Sequence, residues 1–269
     1  MNTLPEIGMI GGGQMCEALV RGLLEAGTAR REQLRIVEPD RERSLYLEKS
    51  YGLGIVQPEE LCSLCQIVVV AVKPQMFVEV AAAYQPFLRN SHLVISLMAG
   101  VKLDVLVRHL GEGLRVIRAM PNTPSLVQAG ATAISGNTFA TADDLEIAAR
   151  LFQAVGTCVQ VPEHMMDAVT GLSGSGPGYV FTMIEAMVDG GVQAGLPRQM
   201  AEQLALQTVY GAAKLARESR ESLATLRGQV TSPAGTTIAG LGVLERGGFR
   251  GMVMQAVETA AKRSAELGQ

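Results

Sequence analysis

The sequence predicts a two-part protein, with a doubly wound α/β sheet in the first part and an all-α second part. Strand-like and helix-like segments alternate over the first part of the chain, and almost no strand-like segment follows Pro162. Alternation of this kind is typical of a parallel sheet with helices on both faces. We place the boundary after residue 161, with one domain at residues 1–161 and the other at residues 162–269.

The predicted strands are short apolar runs separated by helical segments and turns. In chain order they are EIGMI, LRIVE, GIV, QIVVVAV, HLVISLM, RVIRAM, GATAIS and CVQV. QIVVVAV is apolar on both faces, as expected of a strand buried between two helix layers. Helices are predicted in GQMCEALVRGLLEAG, RERSLYLEKSYG and ADDLEIAARLFQAVG.

The second part is predicted to be helical and to form a dimer. Its long helices are apolar around much of their circumference, and in GYVFTMIEAMVDGGVQAG only Glu185 and Asp189 leave a narrow polar stripe. Such helices are normally buried, and a small domain has few places to bury several of them. We therefore expect this part to pack against a second copy of itself. The alternative is a large internal helix bundle.

The composition excludes several classes of protein. Of the 269 residues, 48% are hydrophobic and 18% are charged, so the chain can fill sizeable cores. The net charge is −3 with no basic block, so we expect no nucleic-acid partner. We find no secretory signal, and the longest uncharged apolar run has the length of a strand. We expect a soluble, cytoplasmic protein without membrane contact.

A glycine-rich loop between the first strand and the first helix predicts a dinucleotide site. Gly8, Gly11 and Gly13 precede Gln14 and Met15, which begin the helix. In the fingerprint G-x-G-x-x-G/A, the glycines allow a tight turn and a close approach of the pyrophosphate to the helix N-terminus. The third position is Cys16, a small residue but a departure from Gly or Ala. We expect a Rossmann domain that binds NADP or NAD.

The residues after the second strand leave the choice of dinucleotide open. Glu38 stands where an acidic residue usually binds the ribose hydroxyls and opposes a 2′-phosphate. Arg41 and Arg43 follow, and arginines at this place can neutralise a 2′-phosphate. The alternative for all three is a solvated helix start.

Two further strand ends carry proline-containing loops. One strand ends in Val72-Lys73-Pro74, and another is followed by Met120-Pro121-Asn122. The carboxyl ends of parallel strands face the ligand crevice, so we count these residues among the cofactor-binding candidates. The alternative is an ordinary rigid loop at each place.

No metal site is predicted. Cys62 and Cys65 form one C-x-x-C, and the remaining cysteines and the three histidines show no ligand spacing. We interpret the pair as two small apolar residues one helical turn apart.

Six motifs together carry a family resemblance. GMIGGGQM, AVKPQ, MPNTP, GLSGSGPGYVF, GLPRQMAEQLALQTVYGAAKL and SPAGTTIAGLGVLERGGFRGMVMQAV occur in this order and cover nearly the whole chain. The sequence resembles pyrroline-5-carboxylate reductase, the last enzyme of proline biosynthesis. The resemblance implies reduction of the cyclic imine 1-pyrroline-5-carboxylate to L-proline by NAD(P)H. It also implies a homodimer and, in many members, a decamer of five dimers.

The segment SPAGTT is the main candidate for substrate binding. Ser232 and Pro233 predict an N-cap followed by the first helical residue, and a second frame makes Thr236 the cap. Either frame leaves backbone N–H groups near Gly235, Thr236 and Thr237 to bind a carboxylate. The resemblance gives Thr237 the catalytic role of bonding the ring nitrogen. The alternative is a plain helix cap.

Small residues in SGSGPGYVF give two further substrate-binding candidates, Ser175 and Gly176. By itself, this segment is also typical of a flexible linker.

Two other functions compete with the reductase. A β-hydroxyacid dehydrogenase-like oxidoreductase shares the glycines and the helical second half. It needs a lysine a few residues after GSG, whereas no lysine follows Gly176 before Lys214. A non-catalytic dinucleotide-binding regulator would need only the first part of the chain. The sequence leaves open which subunit completes each active site.

Overall fold

The computed structural model describes residues 4–268, and these form two compact units. The first unit holds the described residues up to Ser175 together with those from Thr259 onward, and the second unit is Gly176–Glu258. The predicted domain boundary after residue 161 follows the last strand of the sheet, and it stays a prediction about domain organisation.

The first unit is built on one sheet of eight strands. They are β1 (Ile7–Ile10), β2 (Leu34–Val37), β3 (Gly54–Ile55), β4 (Ile67–Val70), β5 (Leu93–Ser96), β6 (Arg115–Met120), β7 (Gly130–Gly136) and β8 (Gly156–Gln160). Their order in the sheet is β3-β2-β1-β4-β5-β6-β7-β8. The chain reverses direction across the sheet between β1 and β4, which confirms the predicted doubly wound arrangement.

Seven helices of the first unit follow or connect these strands. They are α1 (Gln14–Glu25), α2 (Arg41–Tyr51), α3 (Pro58–Leu64), α4 (Phe77–Tyr84), α5 (Leu103–Leu110), α6 (Ala142–Gln153) and α7 (Met166–Val169). A π-helical turn at Thr170–Gly174 follows α7. Alternate residues of a strand face opposite sides of a sheet. Met9 therefore packs in a core with α1, α2 and α6, and Ile10 in a core with α3, α4 and α5.

The sheet departs from the predicted parallel arrangement at one place. β7 runs antiparallel to β6, whereas every other neighbouring pair of strands is parallel. Only a short loop with a 3₁₀ turn at Thr123–Val127 joins β6 to β7. A parallel connection needs a crossover of about a dozen residues or more, so this loop returns the chain in the opposite direction.

The second unit is helical, as predicted. Its helices are α8 (Gly176–Gln193), α9 (Arg198–Glu218), α10 (Leu223–Gln229), α11 (Thr236–Arg246) and the first half of α12 (Phe249–Leu267). Its own core is small, with Val188, Ala201 and Ala205 buried. Within residues 4–268, no helix combines the length and the apolar character needed to cross a bilayer.

Candidate active site

The loops at one edge of the sheet form the centre of the candidate site. Parallel strands β1, β4, β5 and β6 all end at this edge, where the chain changes direction between β1 and β4. The crevice at such a switch point is the usual ligand site of an open α/β sheet.

The glycine loop after β1 has the shape that a pyrophosphate needs. Gly11 has φ +93°, and a Cβ there would lie 2.9 Å from the carbonyl oxygen of Ala71. Gly13 is the N-cap of α1, makes no side-chain capping bond, and has open space where a Cβ would stand. The N–H groups of the first turn of α1 are therefore available to an anion.

Glu38 and Arg43 fix the middle of this loop. The Gly12 N–H donates to Glu38 Oε2 at 2.6 Å, and Arg43 Nε donates to the Gly12 carbonyl at 2.5 Å. The second Glu38 oxygen accepts from the Asp40 N–H at 2.8 Å. Glu38 thus lies beside the glycine loop, directly after β2, as the sequence predicts for a ribose-binding acid.

The Arg43 guanidinium is paired with Glu17 of α1. Their salt bridge measures 2.5 Å between Nη2 and Oε2, and Glu17 Oε1 also accepts from the hydroxyls of Tyr51 at 2.7 Å and Tyr46 at 2.9 Å. Partial burial works to raise the pKa of Glu17, but the bonds from Tyr51, Arg43 and Tyr46 outweigh it and lower the pKa. Glu17 therefore stays ionised beside the loop.

A cavity of about 430 Å3, the dinucleotide cavity, opens at this loop. It is lined by Ile10, Gly11, Gly12, Gly13, Val37, Glu38, Pro39, Pro58, Ala71, Val72, Lys73, Met76, Glu79, Val80, Ala83 and Tyr84. Five predicted cofactor residues meet here, namely Gly11, Gly13, Glu38, Val72 and Lys73.

The dinucleotide cavity fits a dinucleotide in three respects. Its glycines leave space that a Cβ would fill, the start of α1 offers free N–H groups, and its walls are largely apolar. The Tyr84 side chain also lines the cavity, and its buried hydroxyl has no hydrogen-bond partner among the described residues.

A second cavity of about 600 Å3, the edge cavity, lies beside the first within the same unit. It is lined by Pro74, Gln75, Phe77, Val78, Ala99, Gly100, Val101, Val105, Thr170, Ser175, Ala260, Arg263, Ser264, Leu267 and Gly268. The predicted residues Pro74 and Ser175 therefore meet here.

Sequence reasoning missed most of the edge cavity. The loop at residues 97–100 after β5 belongs to the same row of strand ends, and Gly100 has φ +78°. The strand-end rule therefore gave a signal for it. The end of α12 carries no such signal, because Ser264 joins α7 through a bond to Asp167 that no local pattern shows.

The side chains at the end of β6 and in the loop after it make contacts mainly with the rest of the first unit. The Asn122 side chain donates to the Ser173 carbonyl and accepts from the Ala131 N–H, both at 2.9 Å. A Cβ on Gly174 would lie 2.6 Å from the end of the Met120 side chain, so these two residues pack closely. Pro121, between Met120 and Asn122 in the chain, is buried. Asn122 therefore ties the strand end to the π-helical turn.

Met120, Pro121 and Asn122 lie outside both cavity linings, and so do three other predicted cofactor residues, Gly8, Gln14 and Met15. Gly8 is buried within β1, and a Cβ there would stand 2.5 Å from the Leu61 side chain of α3. Close packing between helix and strand explains this glycine. Gln14 and Met15 begin α1, with Gln14 exposed and Met15 partly buried.

SPAGTT lies in the second unit, and the structure corrects its helix start. α11 begins at Thr236 with Gly235 as N-cap, so Ser232 is not the cap and Thr236 is the first helical residue. The Gly235 N–H donates to the Ser232 carbonyl at 3.1 Å and is not free as we expected. Ala234, in the turn before α11, has a left-handed backbone conformation with φ +56°. Thr236 and Thr237 are exposed in the first turn.

Gly176 is the first residue of α8 and is partly buried. Ser175 directly precedes it at the end of the π-helical turn, and its N–H donates to the Thr170 carbonyl at 2.8 Å. The segment SGSGPGYVF is therefore helical and not a flexible linker.

The described cysteines are free thiols whose pKa values are raised. Cys62 and Cys65 are free and buried, and burial raises the pKa of Cys62 to about 11 and that of Cys65 to about 12. Burial also raises the pKa of Cys16, within the glycine motif, to about 12. Residues 4–268 contain no cluster of three or more metal-binding side chains.

Comparison with known proteins identifies the family. A pyrroline-5-carboxylate reductase of Synechocystis sp. is 47% identical over 265 residues, which cover 98% of each chain. The chain belongs to the pyrroline-5-carboxylate reductase family. Residues 163–267 match the family of pyrroline-5-carboxylate reductase dimerisation domains, and residues 6–100 match the family described as NADP oxidoreductase coenzyme F420-dependent.

Solved reductase structures share the fold over the whole chain. That of a Coxiella burnetii pyrroline-5-carboxylate reductase has a TM-score of 0.95 at 36% identity and covers 100% of both chains. A Plasmodium falciparum pyrroline carboxylate reductase, solved with NADP bound, has a TM-score of 0.88 at 33% identity and covers 98% of both chains. The predicted Rossmann sheet with a helical second part is thus the reductase fold.

Proposed function

We propose that this protein reduces 1-pyrroline-5-carboxylate to L-proline with NADH or NADPH, the last step of proline biosynthesis. It is an NAD(P)-dependent oxidoreductase. Family membership over nearly the whole chain supports the reaction. The observation that carries the chemistry is a helix start, at Thr236 and Thr237 of α11, that offers hydroxyls and N–H groups without any acid or base.

The substrate explains this lack of acids and bases. Its C=N bond is already electrophilic and more so when protonated, so the protein needs mainly to bind and orient it. When bound, the cofactor supplies the hydride. We propose that Thr237 bonds the ring nitrogen through its hydroxyl and that the first-turn N–H groups of α11 bind the carboxylate.

The substrate-binding candidates share small size or a hydroxyl group. They are Ser232, Gly235, Thr236, Thr237, Ser175 and Gly176. A Cβ on Gly235 would collide with the Ser232 hydroxyl, which would have to rotate away to make room for it. The place of Gly235 before the two threonines lets a carboxylate approach the backbone closely.

The cofactor-binding candidates remain those of the first unit. Gly11, Gly13, Glu38, Val72 and Lys73 line the dinucleotide cavity, and Pro74 lines the edge cavity. Gln14 and Met15 begin helix α1. Met120 ends β6, and Pro121 and Asn122 follow it at the same edge of the sheet. We assign Gly8 to this site only because it lets α3 pack closely against β1.

The assembly we propose is a homodimer formed by the helical part, with a decamer of five dimers as the larger form. Phe181, Tyr210 and Met254 are more than 60% exposed in the single chain. Apolar area of this kind on long helices is typical of an obligate interface. We place the enzyme in the cytoplasm.

Substrate choice tests the proposed function against its main competitor. The purified protein is incubated with NADH or NADPH and 1-pyrroline-5-carboxylate, and separately with NAD or NADP and a set of short β-hydroxy acids. We expect turnover with the imine alone. Turnover with a hydroxy acid in place of the imine would favour the dehydrogenase. Dinucleotide binding without any turnover would favour the regulator.

A further inference from the structure

The choice between NADH and NADPH depends on charges around the adenosine ribose, and two opposite charges flank the glycine loop here. Glu38 bonds the Gly12 N–H and Arg43 bonds the Gly12 carbonyl. A carboxylate at this place opposes a 2′-phosphate, and an available arginine attracts it. The preference therefore depends on whether the Arg43 charge is free.

Arg43 has four partners within its own protein. Its Nε donates to the Gly12 carbonyl at 2.5 Å, its Nη2 lies 3.4 Å from the Gly13 carbonyl, and the same Nη2 pairs with Glu17 at 2.5 Å. The guanidinium also lies 5.1 Å from the ring centre of Tyr46. A 2′-phosphate would have to compete with these partners.

Glu17 is the strongest of these partners, because it is itself anchored. The hydroxyls of Tyr51 and Tyr46 donate to the Glu17 oxygen that Arg43 does not bind. The side chains of Glu17 and Arg43 are 18% and 28% exposed, so water screens their pairing only in part. Arg41, at the start of α2, is exposed, and its charge is screened more strongly.

We propose that Glu17 is a positioning residue that holds Arg43 against the glycine loop and thereby makes this enzyme favour NADH over NADPH. Arg43 then acts on the loop as a clamp, and its charge is balanced by Glu17. Glu38 then leaves an unbalanced negative charge beside the glycine loop. This inference rests on the proposed function only for its biological meaning, because it concerns dinucleotide binding.

Binding constants for the two cofactors test the proposal without any substrate. Dissociation constants for NADH and NADPH are measured by nicotinamide fluorescence with wild type and with Glu17→Gln. Glutamine keeps the bonds from the tyrosines but loses the charge. We expect wild type to bind NADH more tightly. In Glu17→Gln the preference should move toward NADPH by about tenfold, the scale of one charge-assisted hydrogen bond.

A double variant tests whether the effect passes through Arg43. In an Arg43→Gln background, Glu17→Gln should change the ratio of the two constants by less than about twofold, because the cation that it releases is gone. An equal shift in both backgrounds would refute the role of Arg43. A wild-type preference for NADPH, or an unchanged ratio in Glu17→Gln, would overturn the proposal.

Two controls keep the test independent of folding and of the proposed reaction. Glu48→Gln removes an exposed carboxylate from α2, the helix that carries Arg43, and should leave the ratio of the two dissociation constants unchanged. If Glu17→Gln does not fold, Tyr51→Phe removes one anchor of Glu17 and should shift the ratio in the same direction by a smaller factor. A preference measured by binding stands even where no turnover with the imine is found, so the two proposals fail separately.

Discussion

Glu38 and Arg43 bind the same residue from the two ends of its backbone: the Glu38 carboxylate accepts the Gly12 N–H, and the Arg43 guanidinium donates to the Gly12 carbonyl. Both side chains come from the β2–α2 segment, so this segment fixes the loop that follows β1. The glycine loop is thus held in shape before any dinucleotide arrives, which reduces the ordering cost of binding.

Replacing Gly13 with alanine should impair binding without impairing folding. Gly13 has ordinary extended backbone angles, and apart from its chain neighbours no atom of the described residues lies within 4 Å of the place where a Cβ would stand. We expect an unfolding temperature like that of wild type. The new methyl group would occupy the space through which the pyrophosphate approaches, so NADH should bind at least about tenfold more weakly. Fluorescence titration checks this, and wild-type affinity would contradict it.

Replacing Gly11 with alanine should do the reverse and destabilise the fold. Its φ of +93° disfavours any side chain, and the Cβ would stand 2.9 Å from the Ala71 carbonyl oxygen. We expect a loss of about 1–3 kcal/mol in the free energy of unfolding, measured in urea. A variant as stable as wild type would show that the loop relaxes easily.

Removing the Thr237 hydroxyl should slow catalysis without changing dinucleotide affinity. We expect Thr237→Ala to lower kcat/KM for 1-pyrroline-5-carboxylate by about tenfold or more, the scale of a hydrogen bond to a charged group. Thr237→Ser keeps the hydroxyl and serves as the matched control, with activity close to that of wild type. Full activity of Thr237→Ala would refute the role of this residue.

The exposed apolar residues of the helical unit should be needed for assembly. Phe181 and Met254 are 61% and 72% exposed in the single chain. We expect wild type to be oligomeric in light scattering and Phe181→Glu and Met254→Glu to shift it to smaller species, because a buried charge is costly at an interface. Gln153→Glu, exposed at the end of α6, is the control. A monomeric wild type would contradict the dimer.

The C-x-x-C pair should react slowly with alkylating reagents. Burial raises the pKa of Cys62 to about 11, so at pH 8 only about one thiol in a thousand is ionised. Reaction with iodoacetamide should speed up as the pH rises toward that pKa and should become fast at pH 8 in urea. Rapid labelling of the folded protein, or an unfolding temperature that rises with zinc, would refute the structural interpretation.

The sequence predicted most of the first unit because its signals are local. Short apolar runs gave the strands, and Gly11 and Gly13 marked the cofactor loop by their spacing. The antiparallel β7 was missed because direction depends on the length of the connection, and the start of α11 was missed because Ser232-Pro233 imitates a helix cap. The predicted fold class nevertheless stands.

Long-range partners escaped prediction altogether. Glu17 and Arg43 meet across 26 positions of sequence, and Asn122 bonds Ser173 across 51. No periodicity marks such pairs, because each residue alone is typical of an exposed helix or loop. The role of Arg43 as a clamp therefore became visible only when its partners were in place.

The reaction itself is tested most directly by counting products. Purified protein is mixed with 1-pyrroline-5-carboxylate and NADH or NADPH, and both cofactor oxidation and L-proline formation are followed. We expect one L-proline for each cofactor molecule oxidised. Binding of NADH or NADPH with no L-proline formed from either would contradict the assignment.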